Sequence, residues 1–350
     1  MHKLLFTKPF LATLLVSFFF STQLAFCQSK VFDKEQFFKE EAPFDATIET
    51  YWSKLINQKS KPGKIFLARF KCKLGDSIMV DEPVSLVVRG HSRRAYCYLP
   101  PLKLTFTKTN TSIMHSLKSI KLVNACKPNE AYEQYLYKEF LCYKIFNLLS
   151  DKSFRVRMLN LDYRDSSGNK SAFLERAFFT EDVKDMAKRN KSIEWKSGNL
   201  YNEATNRKQM TLVQVFEYMI GNTDWSVPAN HNIKLIQLKE DSLSKPFAIP
   251  YDFDYSGLVS TDYAVPDAML NTETVEERVY RGFPRTMEEL NETFEIFRKQ
   301  KESIYALINN YQLLTTKTKK YMIDYLESFY TQINKPETVK TIFVDGARKN

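Results

Sequence analysis

The residues best suited to chemistry fall in two short stretches. Gly221-Asn222-Thr223-Asp224 is followed by His231-Asn232, which opens an apolar run, and then by Tyr251-Asp252-Phe253-Asp254. Asp224 is expected on a loop behind a helix. A carboxylate held there by rigid elements can orient a hydroxyl and take its proton. Asn232 is expected to open a strand, with its amide oxygen free for a metal. Asp252 and Asp254 are two apart in an extended segment, so both side chains leave the same face. Carboxylates that close repel unless a cation or a proton lies between them. Taken singly, Asp224, Asn232 and the Asp pair are also what ordinary turns supply. Together they make an oxygen-only set, which suits magnesium or manganese better than zinc.

Two upstream residues complete a phosphate-handling set. The spacing predicts a helix over Glu130–Leu149 whose apolar face carries Tyr132, Leu136, Tyr143 and Phe146, with Glu139 near its middle. A carboxylate on such a face is costly unless a cation meets it. Lys121, on the preceding predicted strand, is the expected cation, with Lys103 the second candidate. A lysine that simply blunts a strand edge is the plainer explanation of Lys121. Gly90 is the only glycine between Gly75 and Gly168, so no glycine-rich loop can cover a nucleotide. Phosphate contact would come from Arg89, Ser92, Arg93 or Arg94, which also fit a solvated basic hairpin.

The elements that must position these residues are strands first and helices later. Strands are predicted over 64–70, 84–89, 98–106 and 119–123, with a hairpin over 154–178. Helices are predicted over Glu130–Leu149, 210–220, 287–313 and 316–334, with strands at Ile233–Leu238 and 246–250 between them. A polar lead-in at 28–62 carries one short helix near 48–56. The order predicts an α+β, two-lobed fold with a cleft, its strand-rich N-lobe at 63–180 and its mainly helical C-lobe at 181–350.

The chain resembles the CotH-like atypical kinases, in an exported bacterial branch. The resemblance rests on Val88-Arg-Gly-His-Ser-Arg-Arg94, Leu99-Pro-Pro-Leu-Lys-Leu-Thr-Phe106, Ile120-Lys-Leu-Val123, Gly221-Asn-Thr-Asp224, His231-Asn232 and Tyr251-Asp-Phe-Asp254. The Asn-Thr-Asp and Pro-Tyr-Asp elements are similar to those of HipA-type kinases. The resemblance implies a protein-kinase-like fold that uses ATP with magnesium or manganese to phosphorylate a hydroxyl on a protein or cell-surface component. It implies Asp224 as the catalytic Asp, Asn232 and Asp252 as metal ligands, and Asp254 as a second ligand or support. Lys121, paired with Glu139, would contact the phosphates, with Lys103 as its substitute. The chain departs from the kinase pattern in its eight-residue step from Asp224 to Asn232 and in lacking His-Arg before Asp224. The same residues also fit a catalytically inactive binding or surface-assembly protein that keeps the fold. Asp224 with Asp252 would serve a glycan hydrolase working through a carboxylate pair.

Composition sets the remaining bounds. In 350 residues, 43% hydrophobic and 14% aromatic content is ample for a packed core. The net charge of +10 favours anionic partners, but the basic residues are dispersed, so no nucleic-acid partner is expected. Residues 1–27 read as a secretory signal peptide: His2 and Lys3, an apolar run too short to span a bilayer, and small Ala25 and Cys27 before Gln28. Acylation of Cys27 is the alternative. The mature chain is expected to be periplasmic, surface-bound or secreted, without a transmembrane segment. Export permits disulfides, and Cys97 with Cys126 is the preferred pair, whereas Cys142 reads as a buried apolar residue.

Overall fold

The computed structural model describes residues 32–348 apart from 76, 77, 91 and 110, so the expected signal peptide lies outside the described residues. The chain begins with α1 (Lys34–Lys39), β1 (Phe44–Thr50) and α2 (Trp52–Asn57). β2 (Ile65–Leu74), β3 (Ile78–Val88), α3 (Ser92–Tyr96), β4 (Leu102–Phe106) and β5 (Ser119–Asn124) follow. Then come α4 (Glu130–Leu149), β6 (Val156–Asp165), β7 (Phe173–Thr180), α5 (Val183–Arg189) and β8 (Ser192–Glu194). The last part holds α6 (Arg207–Ile220), β9 (Ile233–Leu238), β10 (Phe247–Pro250), α7 (Met287–Asn310), α8 (Thr316–Ile333) and α9 (Pro336–Val339).

Seven strands close into a barrel in the order β1-β2-β3-β4-β5-β7-β6. Six neighbouring pairs run antiparallel, and the barrel shuts where β1 lies parallel to β6. Period-two alternation sends Phe44, Ala46 and Ile48 of β1 inward, with Phe70, Leu86, Leu104, Leu122, Leu161 and Phe179 from the other strands. Each such side chain contributes roughly 1.5–3 kcal/mol by leaving water. A second core gathers α4, α6, α7 and α8 with the small sheet β10-β9-β8.

This overturns the expected two-lobed, protein-kinase-like α+β fold. The strand half is a closed barrel around its own core rather than the strand-rich lobe of a two-lobed fold. The strand that closes it comes from the segment read as a polar lead-in. The helix expected near 48–56 starts only at Trp52, because the residues before it alternate in and out as β1. The arginine-bearing stretch forms α3 rather than a hairpin. The strand expected from Tyr98 begins at Leu102, after two prolines that can donate no ladder bond.

Other expectations hold. α4 has the predicted bounds and is capped by Asn129, whose side chain accepts the Tyr132 N–H. The β6–β7 hairpin forms, and Asp182 caps α5. A disulfide joins Cys97 to Cys126, and Cys142 is free and buried. Among the described residues no helix is long and apolar enough to cross a membrane.

Candidate functional site

α6 delivers Asp224. The helix ends at Gly221 in the left-handed region (φ 67°), where a Cβ would fall on the Tyr325 hydroxyl, so glycine is required. Asn222, buried, donates to the Glu217 carboxyl (2.9 Å) and accepts the Asp224 N–H (3.0 Å) through its amide oxygen. Burial pushes the Glu217 carboxyl well above the usual carboxylate range. The Asp252–Asp254 stretch is pinned to the same helix end, because Gly257 and Leu258 donate backbone bonds to Gly221 and Ile220.

The step from Asp224 to Asn232 is a loop that folds back on itself. Ser226 and His231 exchange two backbone bonds of 2.9 Å. This brings His231 Nε2 to 2.7 Å from Asp224 Oδ1, while Asn232 Nδ2 donates to Asp224 Oδ2 (3.0 Å) and to its carbonyl (2.7 Å). The Asp224 side chain is still 37% exposed. It is thus both held and open, as a proton acceptor must be.

Asn232 (φ 51°) and Asp252 (φ 66°) both sit in the left-handed region, uncommon for residues other than glycine. Such strain concentrates where surrounding structure holds a functional group in place. Here the Asn232 carbonyl accepts the Tyr251 N–H (3.0 Å), and the Asp252 N–H donates to the Tyr143 hydroxyl (2.9 Å). The Asn232 Nδ2 is committed to Asp224, and its Oδ1 accepts no hydrogen bond among the described residues. The Asp252 carboxylate has no hydrogen-bond partner among the described residues.

Asp254 is different. It is buried, accepts from the Tyr263 hydroxyl (3.1 Å) and lies 3.5 Å from Arg93 Nη1. The same Nη1 reaches Glu139 Oε2 at 3.3 Å, and Arg93 Nη2 donates to the Asn124 carbonyl at 2.8 Å. The disulfide ties these parts together: Cys97 bonds back to the Arg93 carbonyl, and Cys126 follows Asn124 by two residues. Burial pushes Glu139 up to about 8 against the pull of Arg93. Burial and then Asp252 push Asp254 up to about 7. Burial works against the Arg93 charge, but Tyr263, Asp254 and Glu139 more than restore it.

The cation on Glu139 is therefore Arg93, not Lys121. Lys121 Nζ stands 4.4 Å over the Tyr251 ring; burial and then Arg89 push its ammonium down to about 8, while Asp252 pulls the other way. Lys103 pairs opposite Lys121 in the β4–β5 ladder but is exposed and does not line the cavity described next. A cavity of about 350 Å³ is lined by Arg89, Arg93, Asp224, Asn232, Asp252 and Asp254. Six of the expected residues thus share one wall; Lys121 stands outside the lining, and Glu139 acts through Arg93. A larger cavity of about 950 Å³, lined by residues of β1, β2, β6, β7 and α4, contains none of them.

Among the described residues no three His, Cys, Asp or Glu side chains converge as a metal cluster. Of the three carboxylates that line the cavity, Asp252 and Asp254 with the Asn232 amide oxygen are the set that could hold a cation. That all-oxygen set fits magnesium, which keeps several waters or phosphate oxygens when protein supplies few ligands. Asp252, Asp254 and Glu139 all act on Arg93, whose Nη1 and Nη2 are engaged while its buried Nε has no partner among the described residues. Asn222 and His231, quoted in the motifs but given no role there, and Trp225 and Arg281, which were given none either, border or brace the site. The backbone fold-back at Ser226–His231 is what brings His231 in, and its only sequence trace is the Pro228-Ala-Asn230 turn composition.

Barrel, helices and cavity together define a barrel-containing protein with an acid- and arginine-lined polar site. No protein-family model matches the chain, and no curated protein matches it in sequence.

Proposed function

We propose that the protein is an exported phosphotransferase of CotH-like chemistry, moving the γ-phosphate of ATP to a hydroxyl acceptor. The observation that carries this is Asp224, a half-exposed carboxylate fixed by His231 and Asn232 in the wall that also holds Asp252, Asp254 and two arginines. The proposal concerns the site and not a two-lobed fold. ATP with magnesium or manganese would supply a transferable phosphoryl group whose charge the metal screens. Asn232 Oδ1, Asp252 and Asp254 would hold the cation. Arg89 would meet phosphate oxygens, with Lys121 close by, while Arg93 keeps Glu139 and Asp254 in place. Asp224 orients the acceptor O–H and takes its proton as the new O–P bond forms and the bond to ADP breaks. The disulfide and the signal-like residues 1–27 support a location outside the cytoplasm.

Incubation with labelled ATP and magnesium or manganese tests this. Transfer to an acceptor or to the protein itself should occur and fall at least ~100-fold in Asp224→Ala. Asp252→Ala should lose it as well. Saturating ATP with metal should stabilise the wild type by about 2.7 kcal/mol at a hundredfold excess over Kd. Absence of that shift sinks the proposal. A second reading, a protein that binds but does not turn over, is favoured by one observation: Lys121 does not reach Glu139. It predicts the thermal shift without transfer.

A further inference from the structure

Asp224 and His231 do not face one cavity alone. They also line a second one, of about 320 Å³, together with Trp225, Tyr255, Asp267 and Arg281. Asp224, His231 and Tyr255 are common to both. If the first cavity takes the phosphates and the metal, the hydroxyl that Asp224 deprotonates arrives from the second. Its volume is at the low end for small-molecule sites, roughly 300–1,000 Å³.

The chemistry of this second cavity is lopsided. Trp225 is only 3% exposed, and its Nε1–H has no acceptor among the described residues. Arg281 Nε–H is likewise buried and unpartnered. Both groups can only donate. A buried donor left unmet costs about 1–3 kcal/mol, so a ligand oxygen that meets it gains correspondingly. The rest of Arg281 is loosely used: Nη1 donates to the Thr223 carbonyl, and its nearest carboxylate oxygen, on Asp267, is 3.9 Å away. That Asp267 carboxylate is also committed to capping, accepting the Met269 N–H at 3.0 Å. Burial, and then neighbouring Arg348, weaken the hold of Arg281 on its proton, as expected for a cation lacking a full counter-charge.

Resting on the phosphotransferase reading, we infer that the second cavity is the acceptor site and that it takes a small hydroxy acid, a molecule whose hydroxyl lies a few bonds from a carboxylate or phosphate. Arg281 and Trp225 receive the oxyanion, and the hydroxyl is turned toward Asp224 and His231. The guanidinium, fixed through Thr223 next to Asp224, sets the distance between the anion and the reacting hydroxyl.

Probe pairs on one carbon skeleton, acidic against neutral, test this: D-glucuronate against D-glucose, and glycerol 3-phosphate against glycerol. Binding to the full protein is measured by calorimetry, and ATP–magnesium binding is measured separately on the same samples. The wild type should bind each acid at least tenfold more tightly than its neutral partner. Arg281→Gln should abolish that preference. Trp225→Phe, which keeps an aromatic ring but removes the N–H with part of the indole, should reduce it several-fold, and both variants should still bind ATP–magnesium. Equal binding of acid and neutral probes, binding of neither while ATP binds normally, or an acid preference that survives Arg281→Gln overturns the inference and leaves the phosphotransferase reading standing. An Arg281-dependent acid preference without any ATP binding upholds the acid site and removes the phosphotransferase reading.

Discussion

Replacing Cys97 and Cys126 together by alanine should cost the protein both stability and site order. The bridge closes a loop with a sequence separation of 29. Chain-entropy arithmetic for a loop of that size gives about 3.5 kcal/mol at 25 °C. Spread over the unfolding entropy of a chain this long, the loss lowers Tm by about 5 °C. The effect is also local, because the bridge ties α3, which bears Arg93, to the end of β5, where Asn124 receives that arginine. Urea titration of wild type and double variant should show a lower midpoint, with a slope equal or somewhat steeper because the uncrosslinked denatured chain expands further. Hydrogen exchange should quicken at α3 before it does so in the barrel. Both cysteines are almost fully buried, at 0% and 2% exposed, so a mild reductant should act on the native wild type only slowly. An unchanged urea midpoint, or rapid thiol labelling of both residues in native protein after mild reduction, would refute the reasoning.

Three further outcomes are expected. Glu217 holds its proton more tightly folded than unfolded, so its contribution is full below about pH 4 and is lost as pH rises toward its elevated folded value, by at most ~1.4 kcal/mol per pH unit. Glu217→Gln should flatten the stability profile between pH 5 and 8, which urea midpoints will show; parallel profiles would contradict this. On the phosphotransferase proposal, Lys121, lowered to about 8 by burial and Arg89, must be charged to aid a triphosphate, so ATP–magnesium affinity should hold below pH 8 and weaken as pH rises through it. Lys121→Met should remove that pH dependence in calorimetric titrations. Gly221→Ala forces a Cβ into left-handed backbone at about 1 kcal/mol and against the Tyr325 hydroxyl, so the loss should exceed that figure, and Tyr325→Phe should recover part of it in thermal melts.

Local chemistry was legible in the sequence and distant pairing was not. Asn129 caps α4 and Gly221 ends α6 because those signals act within one turn of chain. Glu139 on an apolar helix face announced that a cation must meet it. Which cation depended on α3, a five-residue helix with no periodicity to betray it, and on the reach of a guanidinium to two acids and a carbonyl at once. β1 was missed because Ile48, Trp52 and Leu55 fit a helical stripe as well as Phe44, Ala46 and Ile48 fit a strand. Its parallel partner β6 lies far along the chain, and no local pattern names it. That one strand, drawn from outside the expected N-lobe, is what closes the barrel.

The same strand fixes an order of events. β1 and β6 pair residues about 115 positions apart, so a chain emerging from its N-terminus exposes β1 long before its second neighbour exists. Until then β1 and β2 can form only a ladder with an unpaired outer edge, the kind of edge that recruits stray strands. Closure over so long a loop makes barrel completion a late and slow step. A protein bound for export would meet that interval while crossing a membrane, when a holding chaperone that shields the free edge of β1 would do most to keep the chain from aggregating.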